Sequence, residues 1–189
     1  MLVVGERSLH LREDQGEKMY EIDDNIRNEI NAYLGKYYTP PVIIDEAGLF
    51  NAETTFKEGK TDGKRALVSS LEELVGSVGE TFCEMLFRKI EEKGLTDSEV
   101  YKKADIDRKL FSKIRSNPAY HPQKNTVIAL ALALELPIDE FKDMLARAEY
   151  ALSPSSKSDL IVKYFVEHKV YDLMTINFTL DEYGQEVIR

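Results

Sequence analysis

The residues best suited to recognising a polar ligand lie in one short stretch, Arg108 to Arg115. Its apolar residues Leu110, Phe111 and Ile114 fall at the spacing of one helix face, so the polar side chains between them project outward. An outward arginine can donate two parallel hydrogen bonds to a guanine base, and lysine reaches the same acceptor atoms. The outward side chains of this stretch are Arg108, Lys109, Ser112 and Lys113.

Charge is distributed unevenly along the chain, which carries a net charge of −9 over 189 residues. The first 81 residues hold 9 Lys/Arg against 16 Asp/Glu, whereas the segment Asp97 to Lys124 holds 7 against 4. The acidic total argues against a general nucleic-acid coat, since such proteins are basic overall. One basic segment within an acidic protein favours a localised contact with a polyanion over a merely solvated helix face.

The sequence contains no residue pattern of a familiar enzyme. It lacks a glycine-rich phosphate loop, a His-Glu-x-x-His zinc motif and a Gly-x-Ser-x-Gly nucleophile motif. The paired acids Asp23-Asp24 and Glu91-Glu92 are adjacent on predicted helices and therefore do not face a common site. Three scattered histidines and a single cysteine, Cys83, offer neither a metal cluster nor a disulfide framework, and Cys83 fits a small buried residue better than a redox sensor. We expect a non-enzymatic protein without metal or cofactor, in a reducing cytoplasm.

The basic stretch lies within a series of five predicted helices between Thr81 and Glu149. Gly94 ends the first helix, because glycine accepts the left-handed conformation that follows a helix. A capping box formed by Thr96 and Glu99 begins the second helix, and Asp107 caps the third. The predicted helices are Phe82 to Lys93, a second one opening at Thr96 and ending before the turn at Asp105-Ile106, Arg108 to Ser116, Gln123 to Glu135, and Ile138 to Ala148.

The second and third of these helices, joined by a short turn and flanked by further helices, have the spacing of a helix-turn-helix DNA reader. Residues 82–149 resemble the lambda-repressor-like family of Cro and phage-repressor (XRE-type) regulators. The resemblance rests on Ala104 packing at the turn, the polar cap at Asp107, and Phe111 with Ile114 as core anchors. It also includes Gly94 to Arg115 as a whole, Pro122, Thr126, Leu130 to Leu134, and Ile138 to Phe141.

The resemblance implies a set of DNA contacts. In that family the third helix lies in the major groove, so the outward residues of the basic stretch are expected to meet the bases: Arg108, Lys109, Ser112 and Lys113. Phosphates are expected to meet Lys102 or Lys103, Arg115, Asn117, Tyr120, His121 and Lys124, together with backbone amides at the starts of the second and fourth helices. The sequence departs from the family at Asp97, where a neutral residue such as Gln is usual. A carboxylate at this position repels a nearby phosphate.

The N-terminal region, residues 1–79, is acidic and predicted to be mainly helical. An apolar stripe predicts an amphipathic helix from Glu17 to Tyr38, which must bury that stripe on its own domain, on a second copy or on another protein. A glycine-rich loop at about residues 45–65 and a weaker helical stripe from Leu67 to Val78 follow. Two roles remain open for this region: docking of a protein partner, or a DNA-like acidic surface that covers the chain's own basic segment.

The C-terminal extension, residues 150–189, contains two further helical stripes, Leu160 to Phe165 and Leu173 to Leu180. These helices either form a dimerisation element or complete the core of the preceding five helices. The aromatic residues available to a dimer interface are Tyr164, Phe165, Tyr171 and Phe178.

The sequence thus predicts an all-α protein with a five-helix lambda-repressor-like helix-turn-helix domain and helical extensions at both ends. The function it favours is sequence-specific binding of double-stranded DNA by a homodimeric transcriptional regulator. The alternative is an antitoxin-like or accessory regulator whose helix-turn-helix fold docks a protein. No membrane contact is expected, because the longest apolar run, Val127 to Leu136, is too short to span a bilayer and the N-terminus does not resemble a signal peptide.

Overall fold

The computed structural model of the chain describes residues 10–14, 17–21, 23–40 and 79–188, with backbone alone described in the first two ranges. The described residues of 10–40 and 81–188 belong to one compact unit. The second unit, Pro41–Glu80, lies almost entirely outside the described residues. The predicted loop at 45–65 and the predicted helical stripe at 67–78 therefore fall outside them as well.

Two antiparallel strands precede the helices. Strand β1, His10–Asp14, pairs with strand β2, Glu17–Glu21, in a register that places His10 opposite Glu21 and Asp14 opposite Glu17. The predicted helix from Glu17 to Tyr38 is therefore wrong over Glu17–Glu21, where the chain is a strand. This hairpin is an exception, within the described residues, to the all-α class that the sequence predicted.

The remaining elements among the described residues are helical, and most of them begin at a residue whose side chain caps the first turn. In the described part of the chain the helices are α1 Asp24–Tyr37, α2 Phe82–Glu92, α3 Asp97–Lys103, α4 Arg108–Ser116, α5 Lys124–Ala133, α6 Ile138–Arg147, α7 Lys157–Glu167 and α8 Leu173–Glu182. Apart from the hairpin, the coarse all-α prediction is confirmed for the described residues, and the predicted bounds of α4 match the observed ones.

Short left-handed turns set the angles between consecutive helices. Gly94 has a φ of +63° after α2, as predicted, and Asp105 has a φ of +52° after α3. Beyond Asp105 the buried Ile106 anchors the turn, and Asp107 caps α4 by accepting a hydrogen bond from the amide of Lys109. The chain thus turns from α3 into α4 over four residues, Ala104 to Asp107, with Ala104 itself 2% exposed.

One hydrophobic core runs through all eight of the described helices. Helix α5 lies at its centre and is buried on every side from Thr126 to Ala133. Helices α7 and α8 bury their inner faces in this same core rather than in a separate one, and Phe165, Ile176 and Leu180 are each at most 2% exposed. The C-terminal extension therefore completes the core, and the inner faces of its two helices are buried within the chain itself.

Helix α1 docks on α7 through one buried aliphatic side chain and a set of tyrosine–carboxylate hydrogen bonds. Ile30 is fully buried, while the Tyr33 hydroxyl donates to Glu167 at 2.7 Å and the Tyr164 hydroxyl donates to Glu29 at 2.6 Å. Burial and the acceptor carboxylates raise the pKa of both phenols, so they remain protonated donors. The stripe of α1 thus packs on its own chain through Ile30 and the partly buried Ile26, Tyr33 and Leu34, whereas Tyr37 at its end is 38% exposed.

Among the described residues, no helix combines the length and the apolar character needed to cross a bilayer.

Candidate nucleic-acid interface

Helix α4 presents one buried face and one polar face. Phe111 and Ile114 are 2% and 0% exposed and fix the inner side of the helix in the core. The intervening residues Arg108, Lys109, Ser112 and Lys113 are all exposed on the outer side. The structure therefore brings the four residues predicted to contact bases together on one rigid surface, here called the α4 face.

The cations of the α4 face retain most of their capacity to bind an anion. Neither Arg108 nor Lys109 has an ion-pair partner among the described residues. The Lys113 ammonium lies 4.5 Å from the centre of the Tyr120 ring, a cation–π contact that leaves its positive charge uncompensated. This contact also holds the loop after α4 against the helix.

A shallow groove separates α3 from α4. The hydroxyls of Ser98 and Tyr101 line its α3 side, beside Arg108 and Ser112 on the α4 side. The sequence interpretation did not select Ser98 or Tyr101, although their spacing of three places them on the same face of α3. The Ser98 hydroxyl donates to the Tyr101 hydroxyl at 3.3 Å, so the Tyr101 hydroxyl keeps its own proton as a donor beside the α4 face.

The carboxylate of Asp97 is paired with one of the predicted phosphate ligands. Its oxygen lies 2.5 Å from the guanidinium of Arg115, which also stacks 4.4 Å from the centre of the Phe87 ring. The pair spans the groove from the start of α3 to the end of α4. Asp97, which departs from the family pattern, is therefore largely neutralised, but it also occupies Arg115.

The starts of α3 and α5 differ in their capacity to bind a phosphate. At α3 the carboxylate of Glu99 accepts a hydrogen bond from the Thr96 amide at 2.7 Å. Hydrogen bonds from Thr96 lower the pKa of the Glu99 carboxyl. An acidic group thus already occupies the start of that helix. Helix α5 begins after Gln123 with no side-chain cap and no acidic residue in its first turn. The start of α5 is accordingly the better anion site of the two.

The loop between α4 and α5 is shaped by Asn117, another predicted phosphate ligand. Its side-chain oxygen accepts the Ala119 amide at 3.1 Å, and its carbonyl accepts the Tyr120 amide at 2.9 Å. The backbone amide of Asn117 donates to the Lys113 carbonyl, and its side-chain nitrogen Nδ2 remains available as a donor. His121 in the same loop packs against Tyr150 and lies 3.6 Å from a Glu149 oxygen.

Lys102 and Lys103 are exposed but line a different surface. They border a concavity beside α8, and the ammonium of Lys103 is paired with Glu135. The structure therefore does not group these two predicted phosphate ligands with the groove between α3 and α4.

Lys124 forms an ion pair within the chain. Its ammonium donates to Asp159 at 2.6 Å, and the Asp159 side chain is only 5% exposed. The same carboxylate oxygen accepts the Ser153 amide at 2.8 Å. Lys124 thus ties the start of α5 to α7, and its charge is compensated within the chain.

Replacement of Lys124 by alanine is expected to destabilise the protein by about 3 kcal/mol, because it leaves a buried carboxylate without its cation. Urea unfolding followed by circular dichroism measures this loss. Lys142→Ala is the matched control, since Lys142 is exposed on α6 and its removal is expected to change stability by at most about 0.5 kcal/mol. Equal midpoints for the two variants would show that the Lys124–Asp159 pair adds nothing to stability.

Other chemistry is sparse in the described part of the chain. Cys83 is 5% exposed, and burial raises the pKa of its thiol, as expected for a small core residue. No group of three His, Cys, Asp or Glu side chains among the described residues is placed to hold a metal ion.

Comparison of the chain with protein-family models, with curated protein sequences and with solved structures finds no match.

Proposed function

We propose that the protein is a sequence-specific regulator that binds double-stranded DNA with the α4 face in the major groove. The observation that carries this proposal is the outward row of Arg108, Lys109, Ser112 and Lys113 on a helix whose other side is fixed in the core. A rigid helix with exposed arginine and lysine fits the major groove, where guanine offers two acceptors to each such side chain. In this proposal α3, the four-residue turn and α4 act as a lambda-repressor-like helix-turn-helix unit.

The surroundings of the α4 face suit the phosphate backbone. Donors in the segment that follows α4 are the side-chain nitrogen of Asn117 and the uncapped start of α5. The Tyr101 hydroxyl, which accepts from Ser98, offers a donor across the groove. Neutral donors of this kind position a protein on DNA without adding charge, which fits an acidic chain.

The small number of uncompensated cations requires binding by more than one copy. Each neutralised phosphate contributes a slope of about −0.9 in log K against log salt, so the few contacts available to one α4 face give weak binding at physiological salt. Two copies on adjacent half-sites bind as a unit with much higher affinity. We therefore propose that the regulator acts as a homodimer.

Replacement of Asp97 by asparagine is expected to tighten DNA binding by about 3- to 10-fold, because it releases Arg115 and removes a negative charge near the phosphates. Fluorescence anisotropy with a labelled duplex measures the change. Asp139→Asn makes the same charge change at an exposed position on α6 and is expected to leave the affinity within about 2-fold of the wild type. Weaker binding by Asp97→Asn would place Asp97 among the groups that DNA binding requires.

Selection of bound sequences from a pool of random duplexes tests the function directly. The full chain is expected to enrich a sequence with two related half-sites. Enrichment of no sequence, combined with the capture of a protein partner that depends on the α4 face, would favour the alternative in which this fold docks a protein.

A further inference from the structure

The side chains of the α4 face are almost entirely hydrogen-bond donors. Arginine and lysine carry N–H donors and no acceptor, so Arg108, Lys109 and Lys113 only donate. Ser112 adds one hydroxyl, which donates or accepts. The sequence of α4, RKLFSKIRS, contains no Asn, Gln, Asp or Glu. The α4 face therefore complements a surface that is made of acceptors.

The carboxylates between the start of α3 and the start of α4 are engaged in other contacts or lie on another surface. Asp97 is paired with Arg115, and Glu99 completes the capping box of α3. Asp107 caps the first turn of α4, while Asp105 borders the concavity beside α8. A carboxylate reads cytosine by accepting from its amino group. The α4 face is thus left without a group of this kind.

The α4 face also lacks the groups that read thymine and adenine. The apolar residues of the helix pack inward, since Phe111 and Ile114 are buried and Leu110 is partly buried against the same core. Thymine is read by an apolar contact with its methyl group, and adenine by the paired acceptor and donor of Asn or Gln. Asn117, the first amide side chain after α4, already uses its oxygen to accept the Ala119 amide.

Guanine is the base whose edge matches a surface of donors. In the major groove guanine presents two acceptors, N7 and O6, whereas adenine presents an amino donor beside N7 and cytosine an amino donor alone. Donors on the protein meet donors at adenine and cytosine, but they pair with both acceptors of guanine. Arg108 fits best, because its planar guanidinium donates two parallel hydrogen bonds.

The length of the α4 face limits how far apart the guanines lie. Arg108 and Lys113 are five residues apart, which corresponds to about 8 Å along the helix axis. Successive base pairs are separated by about 3.4 Å, so this distance spans roughly two to three base steps. The bases that the α4 face contacts therefore lie within about four consecutive base pairs.

We propose that each half-site bound by the protein contains at least two guanines within about four consecutive base pairs. Arg108 contacts N7 and O6 of one guanine, and Lys109 or Lys113 contacts another. The inference rests on the proposed function and deepens it, because it names the DNA sequences that the α4 face selects. It also makes Arg108 a residue that determines specificity.

The base composition of the duplexes selected from a random pool tests the proposal with the full chain. Half-sites with at least two guanines within about four base pairs are expected. Enrichment of half-sites built only from A·T pairs would overturn the guanine proposal and leave DNA binding by the α4 face intact. Enrichment of no sequence would overturn the proposed function together with it.

Two base analogues in the selected duplex distinguish the groove through which guanine is read. Replacement of a half-site guanine by 7-deazaguanine removes N7 and is expected to weaken binding by about 3- to 10-fold in fluorescence anisotropy. Inosine at the same position removes only the amino group in the minor groove, so the affinity is expected to stay within about 2-fold. A loss with inosine and none with 7-deazaguanine would place the contact in the minor groove and overturn the proposal.

Arg108→Gln tests the role of the arginine through a change of base preference. Glutamine pairs with adenine, so at one position of the half-site the variant is expected to prefer A·T over G·C by at least about 5-fold. Lys142→Gln removes the same charge from an exposed position on α6 and is expected to retain the guanine preference. An Arg108→Gln chain with wild-type helical content that keeps the wild-type preference at every position would contradict base reading by Arg108.

Discussion

A chain that ends at Ser155 is expected to lose its cooperative fold. It lacks α7 and α8, whose inner faces fill the core beside α5 and α6. Truncation of a single large core side chain costs about 2–5 kcal/mol, whereas a whole domain is stable by about 5–15 kcal/mol. The buried hydrophobic side chains removed with the two helices are Leu160, Ile161, Val162, Tyr164, Phe165, Val166, Ile176, Leu180 and Ile188.

Thermal unfolding followed by circular dichroism measures this effect. The truncated chain is expected to show no sharp transition, while Glu186→Ala, a change at an exposed position of the same extension, is expected to unfold like the wild type. A truncated chain that melts cooperatively near the wild-type temperature would show that the preceding helices fold alone. The C-terminal extension would then be an attached element rather than part of the core.

Replacement of both Lys109 and Lys113 by alanine is expected to weaken binding to the selected duplex by at least about 30-fold, since each lost base contact costs about 1–3 kcal/mol. Both side chains are exposed, so the fold is expected to remain intact. Fluorescence anisotropy measures the affinity, and circular dichroism checks that the helical content is unchanged.

The matched control is the double variant Lys93→Ala, Lys142→Ala. It removes the same two charges from exposed positions outside the α4 face. Its affinity is expected to fall by only a few-fold, through the general change in net charge. Equal losses in the two double variants would show that net charge, and not the α4 face, determines binding.

The starts of α3 and α4 could be predicted from the sequence because local chemistry determines them. The reciprocal hydrogen bonds of Thr96 and Glu99 form as the capping box predicts, and Asp107 caps α4 at the predicted residue. The exposed residues of the α4 face could be predicted from the periodicity of the apolar residues alone. Burial of Phe111 and Ile114 fixes the orientation of the helix.

The N-terminal hairpin shows where local pattern is insufficient. Met19 continues the apolar spacing of α1 toward the N-terminus, so the pattern predicts one helix over both β2 and α1. Strand pairing between His10–Asp14 and Glu17–Glu21 depends on backbone hydrogen bonds that the apolar spacing does not record. The polar run Asp14-Gln15-Gly16 was the available signal for a turn.

The charge partners in the candidate site depend on contacts that are distant in sequence. Arg115 and Asp97 are 18 residues apart, and Lys124 and Asp159 are 35 apart. The sequence analysis selected Arg115 and Lys124 as phosphate ligands without identifying their partners. Only the packing of α3 on α4 and of α5 near α7 brings each pair together. The effective charge of the site is therefore smaller than the residue count suggests.

The salt dependence of binding by the full chain tests the central proposal most directly. Affinity for the selected duplex is measured by anisotropy from about 50 to 300 mM salt, over which log K for a charge-driven complex falls linearly with log salt. With two to four phosphates neutralised by each copy, we expect a slope of roughly −2 to −4 per bound copy. An affinity that does not change with salt, or no binding even at the lowest salt, would contradict DNA binding by the α4 face.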